Sequence, residues 1–234
     1  MNFLIQTSKD GHIEHDFSFH LIKSCEYQNW ANNDKKMHWN AEIDINEGND
    51  YYFKNGYIPV GSVEFVHNYL CCFYDVTPKP INIPTELLDI KYTGRIIFNG
   101  TAEDIVNKSF VKSNDKVKGY TEMCDVAPDG NYQISSLINI MSEWRVFVYR
   151  GKAVGLQNYS GEFCLFPNID RINMMIKAYT SQPIAYTLDV GIISDLSTIL
   201  IEVHNFYSCG LYGFCDYRIL PFMYSQWFKE CVKK

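Results

Sequence analysis

The sequence is short of the features that mark several broad protein classes. Charge of either sign is modest. Of 234 residues, 21 are Lys or Arg and 27 are Asp or Glu, for a net charge of −6. That balance argues against a broad nucleic-acid or membrane-binding surface, while leaving room for a local basic site. No apolar run approaches the roughly 18 residues that a membrane span needs. Met1 leads into "NFLIQTSKDGHIEHD", with no basic segment ahead of an apolar core, so no secretory signal is expected and the chain reads as cytoplasmic. The cysteines, at positions 25, 71, 72, 124, 164, 209, 215 and 231, form no C-x-x-C pair and have no histidines at zinc-module spacing. They read as reduced thiols rather than as a disulfide framework or a zinc site. A G-x-x-x-x-G-K-[ST] segment is missing, which excludes a P-loop. Internal repeats and low-complexity tracts are missing too.

What is present is apolar and aromatic. Hydrophobic residues make up 47% of the chain, enough for one large domain or two closely packed lobes. The pattern predicts a first strand at Asn2–Gln6, closed by the Asp10-Gly11 turn, and a short amphipathic helix in "EHDFSFHLIKSC". Tyr27–Tyr57 is polar and aromatic, with "NEGND" as a loop. "YIPVGSVEFVHNYL" reads as strand, turn at Gly61, N-cap at Ser62 and helix. Pro78, Pro80 and Pro84 mark a linker, so an N-terminal lobe is expected over 1–90 and a second region over 91–234. Beyond it, Arg95–Phe98 reads as a strand, "TAEDIVNK" as a short helix, and "SFVKSNDKVKGYTEM" as two strands about a lysine-rich turn. "EWRVFVYRGKAVGLQNY" is a hairpin turning at Arg150-Gly151. "RINMMIKAYTSQ" is helical, two more strands follow, and an aromatic helix begins near Pro221. Long hairpins mixed with single helices predict an α+β fold with mainly antiparallel sheet.

The last hairpin, "AYTLDVGIISDLSTILIEV", carries the strongest chemical signal. A turn centred between Asp195 and Leu196 sets Asp189 opposite Glu202, pointing to the same face. Facing like charges destabilise a hairpin, and a bound cation reverses the sign of that term. Carboxylate oxygens suit Mg²⁺, which keeps several waters and bridges to substrate phosphates. The alternative is two acids solvated at a sheet edge, although their apolar neighbours make that uncomfortable.

Cations supply the second signal. Arg145 lies inside "EWRVFVY" and shares a strand face with Glu143, Phe147 and Tyr149. An Arg in such company needs an anion, either Glu143 or another internal acid, or a phosphate that the guanidinium fork can grip. Lys112, Lys116 and Lys118 surround the preceding turn. Alone they read as a solvated basic turn; beside two facing acids and a strand Arg they fit a nucleotide triphosphate site.

The order of these features resembles an ATP-grasp domain. "SFVKSNDKVKG", "SEWRVFV", "AYTLDVG" and "IEVHNFYSCGLYG" are similar to the ATP-grasp clade named for one Arg and two Lys, often found in phage and bacterial genomes. The resemblance spans about Arg95 to Tyr217, with "IPVGSVEF" similar to the upstream region. It implies a two-lobed ATP-grasp-like α+β fold with mainly antiparallel sheets and a small N-terminal α/β lobe. ATP would lie between lobes, its adenine on a hinge strand around Gln133–Ile138 that includes Ser136. Lys112 and Lys118 would contact phosphates, with Lys116 a substitute for Lys118, and Arg145 would stabilise the γ-phosphate or an acyl-phosphate. Asp189 and Glu202 would bind Mg²⁺. The implied activity is ligation of a carboxylate, on an amino acid, peptide or protein tail, to an amine through an acyl-phosphate. Most ATP-grasp sites carry Glu-x-Asn on the last strand. Here His204 takes the Asn place and Asn205 follows it. Either His204 replaces the Asn, which suits Mn²⁺ better than Mg²⁺, or a bulge brings Asn205 in, or the second metal is weakly held.

Two other functions remain open on the sequence. "KVKG", Lys116–Gly119, approaches the Lys-x-[Asp/Asn/His]-Gly of covalent nucleotidyltransferases such as RNA ligases, with Lys in place of the acid or amide. A non-catalytic nucleotide-binding or interaction module would also retain these residues, and the many aromatics could stack on single strands.

Overall fold

A computed structural model of the chain describes residues 1–33, 35–43 and 53–233, apart from the side chains of residues 39 and 41–43. The chain forms two compact units, one made of residues 1–78 and 206–234 and the other of residues 79–205. The first boundary falls inside the proline-rich stretch. The second returns the C-terminal segment to the N-terminal unit, whereas the sequence reading divides the chain once, at 90/91.

The first unit is built on a parallel sheet in the order β2-β1-β3, comprising β1 (Asn2–Thr7), β2 (His38–Ile43) and β3 (Ile58–Val60). Residues 3–7 of β1 are all buried, as expected for a central parallel strand with both faces covered. The helices are α1 (Asp16–Ala31), α2 (Val63–Tyr74) and α5 (Leu220–Cys231). Ser62 caps α2, its hydroxyl accepting from the Phe65 amide at 3.1 Å. α1 runs well past the predicted segment, because Gln28, in its last turn, is anchored by donating to the Tyr217 and Arg218 carbonyls. The "NEGND" loop lies outside the described residues.

The second unit holds two four-stranded antiparallel sheets, in the orders β4-β7-β5-β6 and β11-β10-β8-β9. The first sheet comprises β4 (Ile97–Thr101), β5 (Ser109–Ser113), β6 (Thr121–Cys124) and β7 (Asn131–Ser135). The second comprises β8 (Ile140–Tyr149), β9 (Lys152–Gly161), β10 (Ala185–Ile193) and β11 (Thr198–Asn205). The β8–β9 hairpin turns at Arg150-Gly151, both with positive φ (52° and 70°), which matches the twist of a two-residue hairpin. Two short α-helices accompany this framework: α3 (Ile90–Thr93) and α4 (Ile169–Ala178). "TAEDIVNK" forms only a 3₁₀ turn at Ala102–Asp104, capped at its start by the Asp104 carboxylate accepting from the Thr101 amide and hydroxyl; Ile105 then turns extended (φ −82°, ψ 93°) and joins an apolar cluster with Val111, Tyr132 and Ile134.

Alternation divides the second sheet. Trp144, Val146 and Val148 of β8 and Tyr186, Leu188, Val190 and Ile192 of β10 pack with Ile172, Met175 and Ile176 of α4. The opposite face carries Arg145, Thr187 and Asp189, all of them buried as well. Together the sheets and short helices make a mixed α+β architecture. Among the described residues, no helix is long and apolar enough to cross a membrane.

Candidate active site

The central element is the β10–β11 ladder. Asp189 does pair with Glu202, with Leu188 facing Val203 and Thr187 facing His204. The route to that register differs from a simple turn. Near the turn, Ile192 faces Thr198 and Val190 faces Leu200, and the register then shifts between Val190 and Asp189. Continued regular pairing would set Asp189 opposite Ile201. Instead Ile201 is an extra residue, a β-bulge that moves Glu202 opposite Asp189. It also inverts the face pattern: Leu200 and Val203 both join the core, leaving Glu202 and His204 on the side of Asp189.

The outcome is a compact cluster of donors. Ligand atoms of Asp189, Glu202 and His204 lie within 4.8 Å of one another. His204 Nε2 is 2.6 Å from a Glu202 oxygen and 3.7 Å from an Asp189 oxygen. Burial pushes the His204 imidazole down to about 3 against the upward pull of Asp189, with Lys112 and Arg145 adding to the decrease. A neutral imidazole is a ready metal ligand that has no proton to release. The donor set of two carboxylates and one imidazole therefore fits a divalent cation.

Two cations complete the cluster. Arg145 lies next to Asp189 on the adjacent strand and grips it with both arms of its fork, Nε to Oδ1 and Nη2 to Oδ2 at 2.8 Å each. Its anion is thus Asp189 rather than Glu143, whose carboxylate instead accepts the Tyr159 hydroxyl at 2.7 Å. The guanidinium also sits 5.7 Å from the Tyr159 ring. Lys112, from the other sheet, ion-pairs with Glu202. Burial lowers the Lys112 ammonium to about 8, with Asp189 pulling upward and Arg145 downward. The cluster is electrically closed: Arg145 and Lys112 balance Asp189 and Glu202 around a neutral imidazole.

Other predicted residues lie elsewhere. Asn205 alternates to the opposite face of β11 and donates to the Lys79 carbonyl at 3.0 Å, so no bulge brings it to the cluster. Lys116 and Lys118 are in the β5–β6 turn, Lys118 with φ 51°. Lys116 is exposed and lacks the burial that would make its amine nucleophilic. Gln133 is buried and already engaged: its side chain accepts from the Ile83 amide and donates to the Ile83 carbonyl, both at 3.0 Å. Ser136 accepts from the Ile96 amide at 3.2 Å, and with Ile138 it lies in the connection between β7 and β8, past the end of the strand.

Sequence reading missed the residues that hold the two sheets together. Asn82, in the proline-rich stretch, adopts φ 54° and is buried. Its carbonyl accepts from the Val203 amide at 2.7 Å, while Nδ2 donates to the Ser113 carbonyl and to Asn114 Oδ1. One residue thereby ties the lysine-bearing strand to the acid-bearing strand. A polar residue among prolines reads as a solvated linker, and only its left-handed backbone preference hints otherwise.

This combination of antiparallel sheets, strand-borne acids and a strand Arg with a Lys from the facing sheet is that of an ATP-grasp fold. The comparison with protein families narrows the class. The ATP-grasp domain of the second family in the clade named for one Arg and two Lys matches residues 92–220, more than half of the sequence, and the chain belongs to that family. Solved structures resemble the chain at low identity. D-cycloserine synthetase DcsG is 9% identical with a TM-score of 0.54, over 97% of this chain and 100% of that one. The D-alanine–D-alanine ligase of Bacillus anthracis is 11% identical with a TM-score of 0.49, over 100% of this chain and 97% of that one. The macrocyclase MdnC of Microcystis aeruginosa MRC, solved with its precursor peptide MdnA, is 11% identical with a TM-score of 0.44, over 95% and 99%. No curated protein matches the chain significantly.

Proposed function

We propose that this chain is an ATP-dependent ligase that activates a carboxylate as an acyl-phosphate and joins it to an amine. The observation that carries the reading is the closed cluster of Lys112–Glu202 and Arg145–Asp189 ion pairs around His204, in a chain of the ATP-grasp family. In this reading Asp189, Glu202 and His204 hold the divalent cation. A divalent cation held there would supply charge neutralisation for a triphosphate. An imidazole nitrogen among the donors favours Mn²⁺ over Mg²⁺.

The free site must change partners to work. Each cationic side chain is neutralised by an acid that the metal needs, and each acid by a cation that the phosphates need. Asp189 and Glu202 would turn to the metal as Arg145 and Lys112 turn to the phosphates, so that metal and nucleotide would bind cooperatively. Arg145, released from Asp189, keeps its fork for the γ-phosphoryl group and then for the acyl-phosphate. Lys112 holds a phosphate oxygen, and Lys118, or Lys116 in its place, reaches the triphosphate from the turn. The 133–138 segment offers its main chain to adenine, since the Gln133 side chain is occupied by Ile83. The γ-phosphoryl group passes to a carboxylate oxygen and ADP leaves. The amine then attacks the acyl carbon, phosphate departs with the C–O electron pair, and the nitrogen loses its proton to solvent. No covalent nucleophile on the protein is needed.

The test is turnover of ATP with Mg²⁺ or Mn²⁺ against panels of amino acids and peptides, beside the Glu202→Gln variant. ADP and phosphate produced by the wild type alone, and raised by a particular acceptor, are expected. AMP and pyrophosphate with label retained on Lys116 would assign a covalent nucleotidyltransferase instead. Glu202-dependent nucleotide binding without turnover across the panels would favour a non-catalytic module.

A further inference from the structure

Arg95 is a buried cation with no acid paired to it among the described residues. Only 8% of it is exposed, and its side chain donates to carbonyl oxygens: Nη1 to Leu200 at 2.8 Å and Thr93 at 3.1 Å, and Nη2 to Ile201 at 3.1 Å. Removing a guanidinium from water without a counter-charge is expensive. The local chain is shaped to accept that cost. Gly94 ends α3 with φ 62°, and a Cβ there would come within 2.7 Å of Ile199 Cγ2, so glycine lets the turn lie flat on β11. The Thr93 hydroxyl then donates to the Arg95 carbonyl at 2.7 Å and fixes where the side chain starts.

The two β11 carbonyls that Arg95 grips flank the step at which the ladder changes register. Leu200 is the last residue before the bulge and Ile201 is the bulged residue itself. Leu200 and Val203 both face the core, so the strand needs a change of phase somewhere between them. We propose that Arg95 is a positioning residue that pins the bulge at Ile201 and so keeps Glu202 and His204 beside Asp189; this rests on the reading of those three residues as the metal site. A phase change one residue later would turn Glu202 toward the apolar face and dissolve the cluster.

With Ile201 deleted, Glu202 follows Leu200 directly and still falls opposite Asp189 in an unbroken ladder. The deletion should therefore make Arg95 dispensable. The experiment measures Mn²⁺ binding in the presence of AMPPNP by the electron paramagnetic resonance of free Mn²⁺, with circular dichroism melting as a check on folding. Arg95→Met and Arg95→Lys, which both lack the fork, should each weaken Mn²⁺ by about tenfold or more. The Ile201 deletion combined with Arg95→Met should restore binding to within about threefold of wild type, a rescue that a merely stabilising role cannot give. Unchanged affinity in a folded Arg95→Met variant overturns the inference, as does failure of the deletion to rescue. If Arg95→Met does not fold, the combined variant decides in the same way. If the wild type takes up no Mn²⁺ with AMPPNP, the metal-site reading itself falls and this inference with it. If it takes up Mn²⁺ through Glu202 yet ignores Arg95, only the positioning role fails.

Discussion

Replacing Asp189 by Leu is expected to be one of the most destabilising single changes in the second unit. Asp189 is 1% exposed and receives two 2.8 Å hydrogen bonds from Arg145, itself 6% exposed. Removing the acid takes from a buried guanidinium the carboxylate that its fork holds, and breaking such a pair costs about 3–5 kcal/mol. For a chain of this size each kcal/mol moves the melting temperature by roughly 2–4 °C, so a fall of about 10 °C is expected. The compensating change is just as informative. Arg145→Met together with Asp189→Leu replaces both charges by apolar side chains of similar bulk and should recover most of the loss. Urea denaturation of the wild type, both single variants and the double variant measures the cycle. A single-variant loss below about 1 kcal/mol, or a double variant no better than Asp189→Leu, would refute the buried-pair energetics. The double variant should also be unable to bind Mn²⁺ with nucleotide, which separates stability from site chemistry.

Four further outcomes are expected. His204→Asn exchanges a nitrogen donor for an amide oxygen, so the ratio of Mn²⁺ to Mg²⁺ affinity, read by competition calorimetry with AMPPNP, should fall by about tenfold; an unchanged ratio would mean that His204 is not a ligand. Asn82→Asp sets a carboxylate against the Ser113 carbonyl and Asn114 Oδ1, and should cost about 2–3 kcal/mol in denaturant unfolding, whereas Asn82→Gly keeps the φ of 54° and should cost less. Burial raises the Cys25 thiol from 9.0 to about 12. The folded state then holds the extra proton between those values, so stability should decline as pH rises above about 9, and Cys25→Ala should flatten that alkaline slope. In the same protein, exposed Cys71, Cys72, Cys164 and Cys215 should react with a thiol reagent before unfolding and Cys25 only after it.

Much of this site is legible because strands have a period of two. Alternation in "EWRVFVY" separates Arg145 from Trp144, Val146 and Val148, and the hairpin signal at Arg150-Gly151 locates its turn. The facing of Asp189 and Glu202 is also readable, but by a coincidence of two offsets. The observed pairing near the turn is one residue away from the predicted register, and the bulge at Ile201 restores it. A bulge leaves no local mark in "TILIEVHN", where its two flanking carbonyls are bound by an Arg from far earlier in the chain. The helix expected in "TAEDIVNK" stops after one turn, where Ile105 goes extended and packs with Val111, Tyr132 and Ile134 of later strands.

Composition, periodicity and motif order therefore determined the α+β class, the hairpins and the residues that carry charge. These depend on spacing along one strand or one turn, where neighbouring side chains obey fixed geometry. Tertiary structure alone decided which charges meet. Arg145 chose Asp189 over Glu143, Lys112 crossed from one sheet to Glu202 on the other, Asn82 left its apparent linker to join both sheets, and Arg95 closed on the carbonyls where the last strand changes phase. Those choices turn on burial and on hydrogen bonds between distant segments, which no window of sequence contains.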